Sequence, residues 1–316
     1  MDGTSSGAIY VQTNAAPNEV IVFHQADNGS LERIGSVATG GEGDATPHLQ
    51  SQGSVTLTGD GQFLLVTNAA SDDLSVFSVA ADGSIELREL VHTGATPRSV
   101  AERDGLVVVL NTGEPGLAAF RLHAEGIVRM EGGDQELAAS DADPAQVAFS
   151  PDGSMVVITE RGTDSIVTYE VTPDGTFGAS SEIASEGPTP YGFAFTSGGA
   201  LVVTEAFRAE KGAAAASSYA IVDGSSWCAP RRWATAAARS AGRSSRPTTG
   251  SPSRRTSPTA PSRATRSGPM VLCRWRMRRP ASRSTACPGC ATRVSPATGG
   301  SSTRSTPTVA ASTAGR

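Results

Sequence analysis

The chain has 316 residues, a formal net charge of −5, 35 glycines and only 5% aromatic residues. That length fits one large core or two smaller ones. No run of about 18 apolar residues is present to span a membrane, and Met1 to Gly7 lacks the basic and apolar regions of a secretory leader, so a cytoplasmic location is expected.

The charge is unevenly distributed. The last of 31 acidic residues is Asp223; beyond it come 17 Arg, no Lys and all four Cys, in a stretch rich in Ser, Thr, Pro and Ala. The two parts carry about −22 and about +17. Residues 1–224 and 225–316 are therefore treated as separate regions.

In chain order, the first region is a repeat. A weak copy runs from Ala8 to Gly29. The clearest begins at Thr58-Gly59-Asp60-Gly61, a turn, followed by the strand Phe63 to Asn68, a second strand Leu74 to Phe77 and a second turn at Asp82-Gly83. A third copy runs from Asp104 to Gly126. The fourth repeats the clear pattern as Ser150-Pro151-Asp152-Gly153, Met155 to Glu160, Ile166 to Tyr169 and Asp174-Gly175. A fifth spans Ser197 to Gly224. Another short apolar strand precedes most of the turns, as in Ser54 to Leu57 and Gln146 to Phe149. Asn14, Asn68, Asn111, Glu160 and Glu205 close the second strands at steps of 43 to 54 residues, the spacing of propeller blades. An all-β propeller is expected rather than a sandwich.

The basic tail changes character when read one base out of frame. Ser codons then become Phe, Leu, Ile or Val; Thr becomes Asn, Asp, Tyr or His; Ala becomes Gly, Ser, Arg or Cys. Residues 251–268 can read FAFTTNFADGAVSRYSIG, and 239–246 EICWAVVT. The eight-residue step from Asp60 to Asn68 recurs from Thr248 to Thr256 and from Thr298 to Thr306. Two further units bring the count to seven, so the tail is expected to be frameshifted and, as written, without a packed core. A rival reading is a nucleic-acid arm built on Arg274 to Arg279 around Trp275. It conflicts with a tail lacking Lys, Phe and Tyr, so no nucleic-acid partner is expected. Cys287-Pro288-Gly289-Cys290 has no second pair at ligand spacing, and no metal or cofactor is assigned.

Antiparallel strands put the second-strand ends and the entries to the first strands on one face of a propeller. First strands line its channel, so His48, Gln52, Arg98, Gln146 and Tyr191 are expected around the mouth, with the carboxylates of Glu160 and Glu205. Arg98 suits an anionic group or an oxyanion; either Glu suits a general base; His48, Gln52, Gln146 and Tyr191 suit substrate binding. Polar residues there also cap strand ends.

The phrases Ser51-Gln52-Gly53-Ser54, Thr58-Gly59-Asp60-Gly61, Val66-Thr67-Asn68, Ala148 to Gly153 and Thr159-Glu160-Arg161-Gly162 resemble the lactonase-type seven-bladed propellers. That group includes propeller-type 6-phosphogluconolactonase and carboxy-cis,cis-muconate cyclase. The resemblance implies a metal-free channel site for a small lactone or carboxylate, hydrolysed or isomerised, with blades six and seven missing as written and activity impaired. A non-catalytic binding propeller is the alternative; the oligomeric state is left open. The frameshift reading predicts one inserted or missing base near codon 224, checked by sequencing the gene from independent isolates; an uninterrupted frame through codon 316 would overturn it.

Overall fold

The structure, a computed structural model, describes residues 7–46, 51–222 and 226–234. It is an all-β propeller of five blades. Blade one has three strands: β1 (Gly7–Gln12), β2 (Glu19–Gln25) and β3 (Leu31–Ala38). Blade two has β4 (Val55–Leu57), β5 (Phe63–Asn68), β6 (Asp73–Val79) and β7 (Ile85–His92). Blade three has β8 (Pro97–Arg103), β9 (Leu106–Asn111), β10 (Gly116–His123) and β11 (Gly126–Glu136). Blade four has β12 (Pro144–Phe149), β13 (Met155–Glu160), β14 (Ser165–Val171) and β15 (Phe177–Ala184). Blade five has β16 (Pro190–Phe195), β17 (Leu201–Glu205), β18 (Ala215–Val222) and β19 (Ser226–Ala234). Strand pairing continues past the boundary expected at 224, because β19 pairs antiparallel with β18. Residues 235–316, including the C-x-x-C, lie outside the described residues.

The Asp-Gly turns form as the repeat requires. Asp60 accepts from Thr58 Oγ1 at 2.6 Å and from the Gln62 amide, while Gly61 takes φ +71°, which a side chain would resist. Asp152 does the same with Ser150 and Ser154, and Asp82 and Asp174 with Ser84 and with Thr172 and Thr176. These local bonds need nothing from the rest of the chain, which is why the turns are visible in the sequence.

Second strands are buried on both faces. In β9, Val107 and Val109 pack with Leu65, Val76 and Phe120 toward blade two. Leu106, Val108 and Leu110 pack with Val156, Ile158 and Tyr169 toward blade four. Each fully buried Val or Leu contributes about 1.5–3 kcal/mol. Blade one differs. Val20 and Val22 pack against Leu64, Val66 and Phe77 of blade two, but Ile9 and Val11 on the other face are 36% and 45% exposed.

Polar side chains lock the blades at the loop end. Asn68, fully buried at the end of β5, donates through Nδ2 to Asp73 and Ser75 in its own blade, at 2.6 and 2.7 Å. Its Oδ1 accepts from Asn18 and Thr39 of blade one, both at 2.8 Å. A Cβ on Gly41 would lie 2.6 Å from that Nδ2, so only glycine lets the connecting loop close over the amide.

Hydrogen bonds depress the Asp60, Asp82, Asp152 and Asp174 carboxyls, led by those from Thr58, Ser84, Ser150 and Thr172 respectively. A carboxyl with a lowered folded pKa adds stability above its unfolded pKa of about 4 and loses it as pH falls through the folded value. Unfolding midpoints in urea should therefore fall as the pH drops below about 4. Asp60→Asn together with Asp152→Asn should flatten the dependence; an unchanged slope in that double variant would contradict the turn assignment.

Candidate functional site at the loop end of the channel

The first strands of blades three, four and five are each entered through a backbone kink. Thr96, Asp143 and Thr189 take φ of +57°, +42° and +61°, each immediately before a proline that opens a first strand. Non-glycine residues seldom occupy this region, and the conformation is retained only where surrounding bonds enforce it. Here they do. Asp72 accepts from the Thr96 amide and Asp164 from the Thr189 amide, both at 2.7 Å. The carbonyls of Thr96, Asp143 and Thr189 accept from the amides of Thr112, Arg161 and Ala206, each the residue after a second-strand end.

The kinks aim two arginines. Arg98, near the start of β8, pairs through Nη2 with Asp44 Oδ2 at 2.7 Å and donates through Nε to Thr112 Oγ1 at 3.1 Å. Asp44 in turn accepts from Asn14 Nδ2 at 2.6 Å. Only 14% of the Arg98 side chain and 17% of that of Asp44 is exposed, and Arg98 Nη1 has no partner among the described residues. Burial pushes the Asp44 carboxyl up; hydrogen bonds from Thr46 and Asn14 and the Arg98 charge outweigh it and bring the pKa down to about 2. Asp44 is thus an anchor for Arg98 and a poor proton acceptor. Arg161 pairs with Asp143, and its guanidinium carbon lies 5.5 Å from the centre of the Tyr191 ring. Burial raises the Tyr191 pKa, Arg161 and then Arg98 oppose that rise, and Asp143 reinforces it. Both guanidinium charges therefore act on one phenol.

Beside this pair lies a cavity of about 530 Å³ lined by Gln52, Gln146, Tyr191 and the edge of β16. Gln146 is held by both ends: Nε2 donates to the Phe193 carbonyl at 3.0 Å and Oε1 accepts from the Phe193 amide at 2.9 Å. It latches β12 to β16. The Gln52 amide donates to the Ala145 carbonyl, and the Gln52 side chain approaches Gly192, where an added Cβ would lie 3.1 Å from Cγ.

Of the expected site residues, Gln52, Gln146 and Tyr191 line this cavity; Arg98 is not among the lining residues and acts on it through its charge on Tyr191. Glu160 is not among the residues lining that cavity. It is 3% exposed, accepts from Thr163 Oγ1 at 2.7 Å and Ser165 Oγ at 3.5 Å, and has the carboxylates of Glu182 and Asp141 for charged neighbours. Burial raises its pKa against those hydrogen bonds. It lies at the position of Asn68, tying a second strand to a third. Glu205, 1% exposed, packs against Gly187 in the loop entering its own blade. His48 lies outside the described residues. Sequence reasoning passed over Asp44, Arg161 and Asp143. Their available signal was position: Arg161 follows a second-strand end, and Asp143 precedes the Pro that opens β12.

The family described as "Lactonase, 7-bladed beta-propeller" matches residues 7–126 and, in an overlapping stretch, 102–211. The chain belongs to this lactonase family. No curated protein matches it. Among solved structures, a protein of Lactobacillus plantarum is 19% identical, with TM-score 0.60 over 71% of this chain and 67% of its own. A proposed 6-phosphogluconolactonase of Bacteroides uniformis is 14% identical, with TM-score 0.59 over 74% and 70%. The periplasmic gluconolactonase of Pseudomonas aeruginosa is 18% identical, with TM-score 0.56 over 74% and 68%. At these identities the structures establish the shared fold. The matched stretches contain every arginine and acid of the mouth described above.

If both arginines act on Tyr191, replacing Arg161 by Ala removes a pKa-lowering charge and raises the Tyr191 titration further. Ultraviolet difference titration, with Tyr191→Phe to assign the transition, checks this; an unshifted transition would separate Arg161 from the mouth.

Proposed function

We propose that this lactonase-family propeller hydrolyses a small lactone bearing a carboxylate or phosphate, with 6-phosphogluconolactone the first substrate to test. The observation that carries the reading is the pair of guanidiniums beside Tyr191, one of them with an unpaired Nη1. A water oxygen attacks the lactone carbonyl carbon, the ring C–O bond breaks, and the ring oxygen leaves as an alcohol after taking up a proton. The new acid releases its proton to solvent. The Arg98 guanidinium supplies positive charge that favours the substrate's anionic group or the carbonyl oxygen as it gains charge. Tyr191 and Gln52 bound the sugar-sized cavity. Glu160 and Glu205 act in this reading through the blades, by holding second-strand ends.

The tail reading belongs to the same proposal. A seven-bladed family, five blades and an uncovered apolar face on blade one fit a chain whose last two blades are lost to a frame change. Turnover by the chain as written then falls below that of the frame-restored chain, because the channel wall is incomplete. A binding role without catalysis has one observation in its favour: Asp44 and Asp143 already neutralise the two arginines.

In a direct assay of 6-phosphogluconolactone hydrolysis, Arg98→Ala should lower turnover by about 10²-fold or more, and Arg98→Lys should lower it less. Circular dichroism checks that both variants fold. Equal turnover in folded Arg98→Ala and the parent would sink the assignment of Arg98; parent turnover at the uncatalysed rate, before and after frame restoration, would favour the binding role.

A further inference from the structure

Blade three departs from the locking pattern of its neighbours. In blade two, the amide of Asn68 is satisfied by Asp73 and Ser75, five and seven positions further on. In blade three the corresponding residues are Gly116 and Ala118, with Asn111 facing Gly116 across the β9–β10 pair as Asn68 faces Asp73. Asn111 keeps one bond, from Nδ2 to the Thr93 carbonyl at 2.9 Å. Its Oδ1 has no partner among the described residues, although the residue is only 6% exposed. A buried acceptor left unpaired costs about 1–3 kcal/mol.

The missing side chains leave space. A groove of about 1120 Å³ opens beside Gly116, where the Asp would stand, lined by Asn111, Gly116, Glu114, Asp134, Glu136 and Arg129 among others. Its wall is shaped by an unusual bulge. Between the Ala118–Asp134 and Phe120–Arg129 pairs, β11 carries Met130 to Gly133 opposite Ala119 alone. Arg129 is engaged already: it bonds Asp134 and the His92 carbonyl, and lies over the Phe120 ring. Three carboxylates against one occupied guanidinium leave the groove net negative, with a neutral acceptor at its buried end. No group of three or more His, Cys, Asp or Glu among the described residues is arranged to hold a metal ion. The ligand chemistry that fits is an organic cation with N–H donors.

We propose that this groove between blades two and three is a second binding site, separate from the channel mouth, for a small ammonium-bearing molecule: an N–H donates to Asn111 Oδ1 while Glu114 and Glu136 balance the charge. The whole propeller is acidic, so any polyamine will associate diffusely with it. A charge-neutral variant separates the two effects. Ala118→Ser places a hydroxyl where Ser75 stands in blade two, satisfying Asn111 from within the fold.

The test is isothermal titration of the full chain with spermidine at low ionic strength. The parent should bind one equivalent saturably. Ala118→Ser should weaken that binding about tenfold or more with no loss of thermal stability, Glu114→Gln with Glu136→Gln should weaken it comparably, and Arg98→Ala should leave it unchanged. Non-saturating binding by the parent, or equal affinity in folded Ala118→Ser, would overturn the proposal.

Discussion

A buried polar side chain at the end of a second strand is the constraint on which the arrangement of blades depends. Apolar packing between blades is non-directional and tolerates sliding; a buried amide with four bonded partners does not. Asn68 holds β6 with one end and the blade-one loop with the other. Glu160 performs the strand-holding half of this task with Thr163 and Ser165, and Asn111 keeps only the bond to the preceding blade. The loops held by Asn68 at Thr39 and by Asn111 at Thr93 run on into the first strands of blades two and three, so the lock bears on where Asp44 and Arg98 stand. The left-handed residues before Pro97 and Pro190 are gripped from both sides by an amide and a carboxylate, and the one before Pro144 by the Arg161 amide.

The mouth follows from that geometry. Asp44 arrives on the loop gripped by Asn68, and Arg98 stands near the start of β8; the ion pair they form joins the loop before blade two to blade three. A depressed carboxyl beside a buried guanidinium is an electrostatically stiff unit, suited to presenting a fixed donor rather than to exchanging protons. Arg161 pairs with the more exposed Asp143 and lies against the Tyr191 ring. Anion recognition and carbonyl polarisation are the chemistry such a site offers, in keeping with membership of the lactonase family.

The fold was legible because its signals are local. An Asp that bonds the side chains and amides two residues away, followed by a Gly at positive φ, writes its turn into four letters, and the second strands read as short continuous apolar runs after the turns. The period markers were also legible, but their task was not. Glu160 and Glu205 share a chain position with Asn68 and are only 3% and 1% exposed, and Glu160 bonds Thr163 and Ser165 of its own blade. Asp44 could not be matched to Arg98 across 54 residues without knowing which loops converge. Strand β19 pairs with β18 through its backbone, and such pairing is indifferent to the change of composition after Asp223.

The central claim, that the buried lock positions the mouth, is tested most directly by the titration of Asp44 in an Asn68→Ala variant. Asn68 touches neither Asp44 nor Arg98 in any hydrogen bond, so a purely local account leaves Asp44 unaffected. Carboxylate NMR should find the Asp44 pKa rising from about 2 toward the ordinary value of about 3.9 once the loop is released, with Asp152 in blade four unmoved. An Asp44 that still titrates near its parent value in the folded variant would contradict the account.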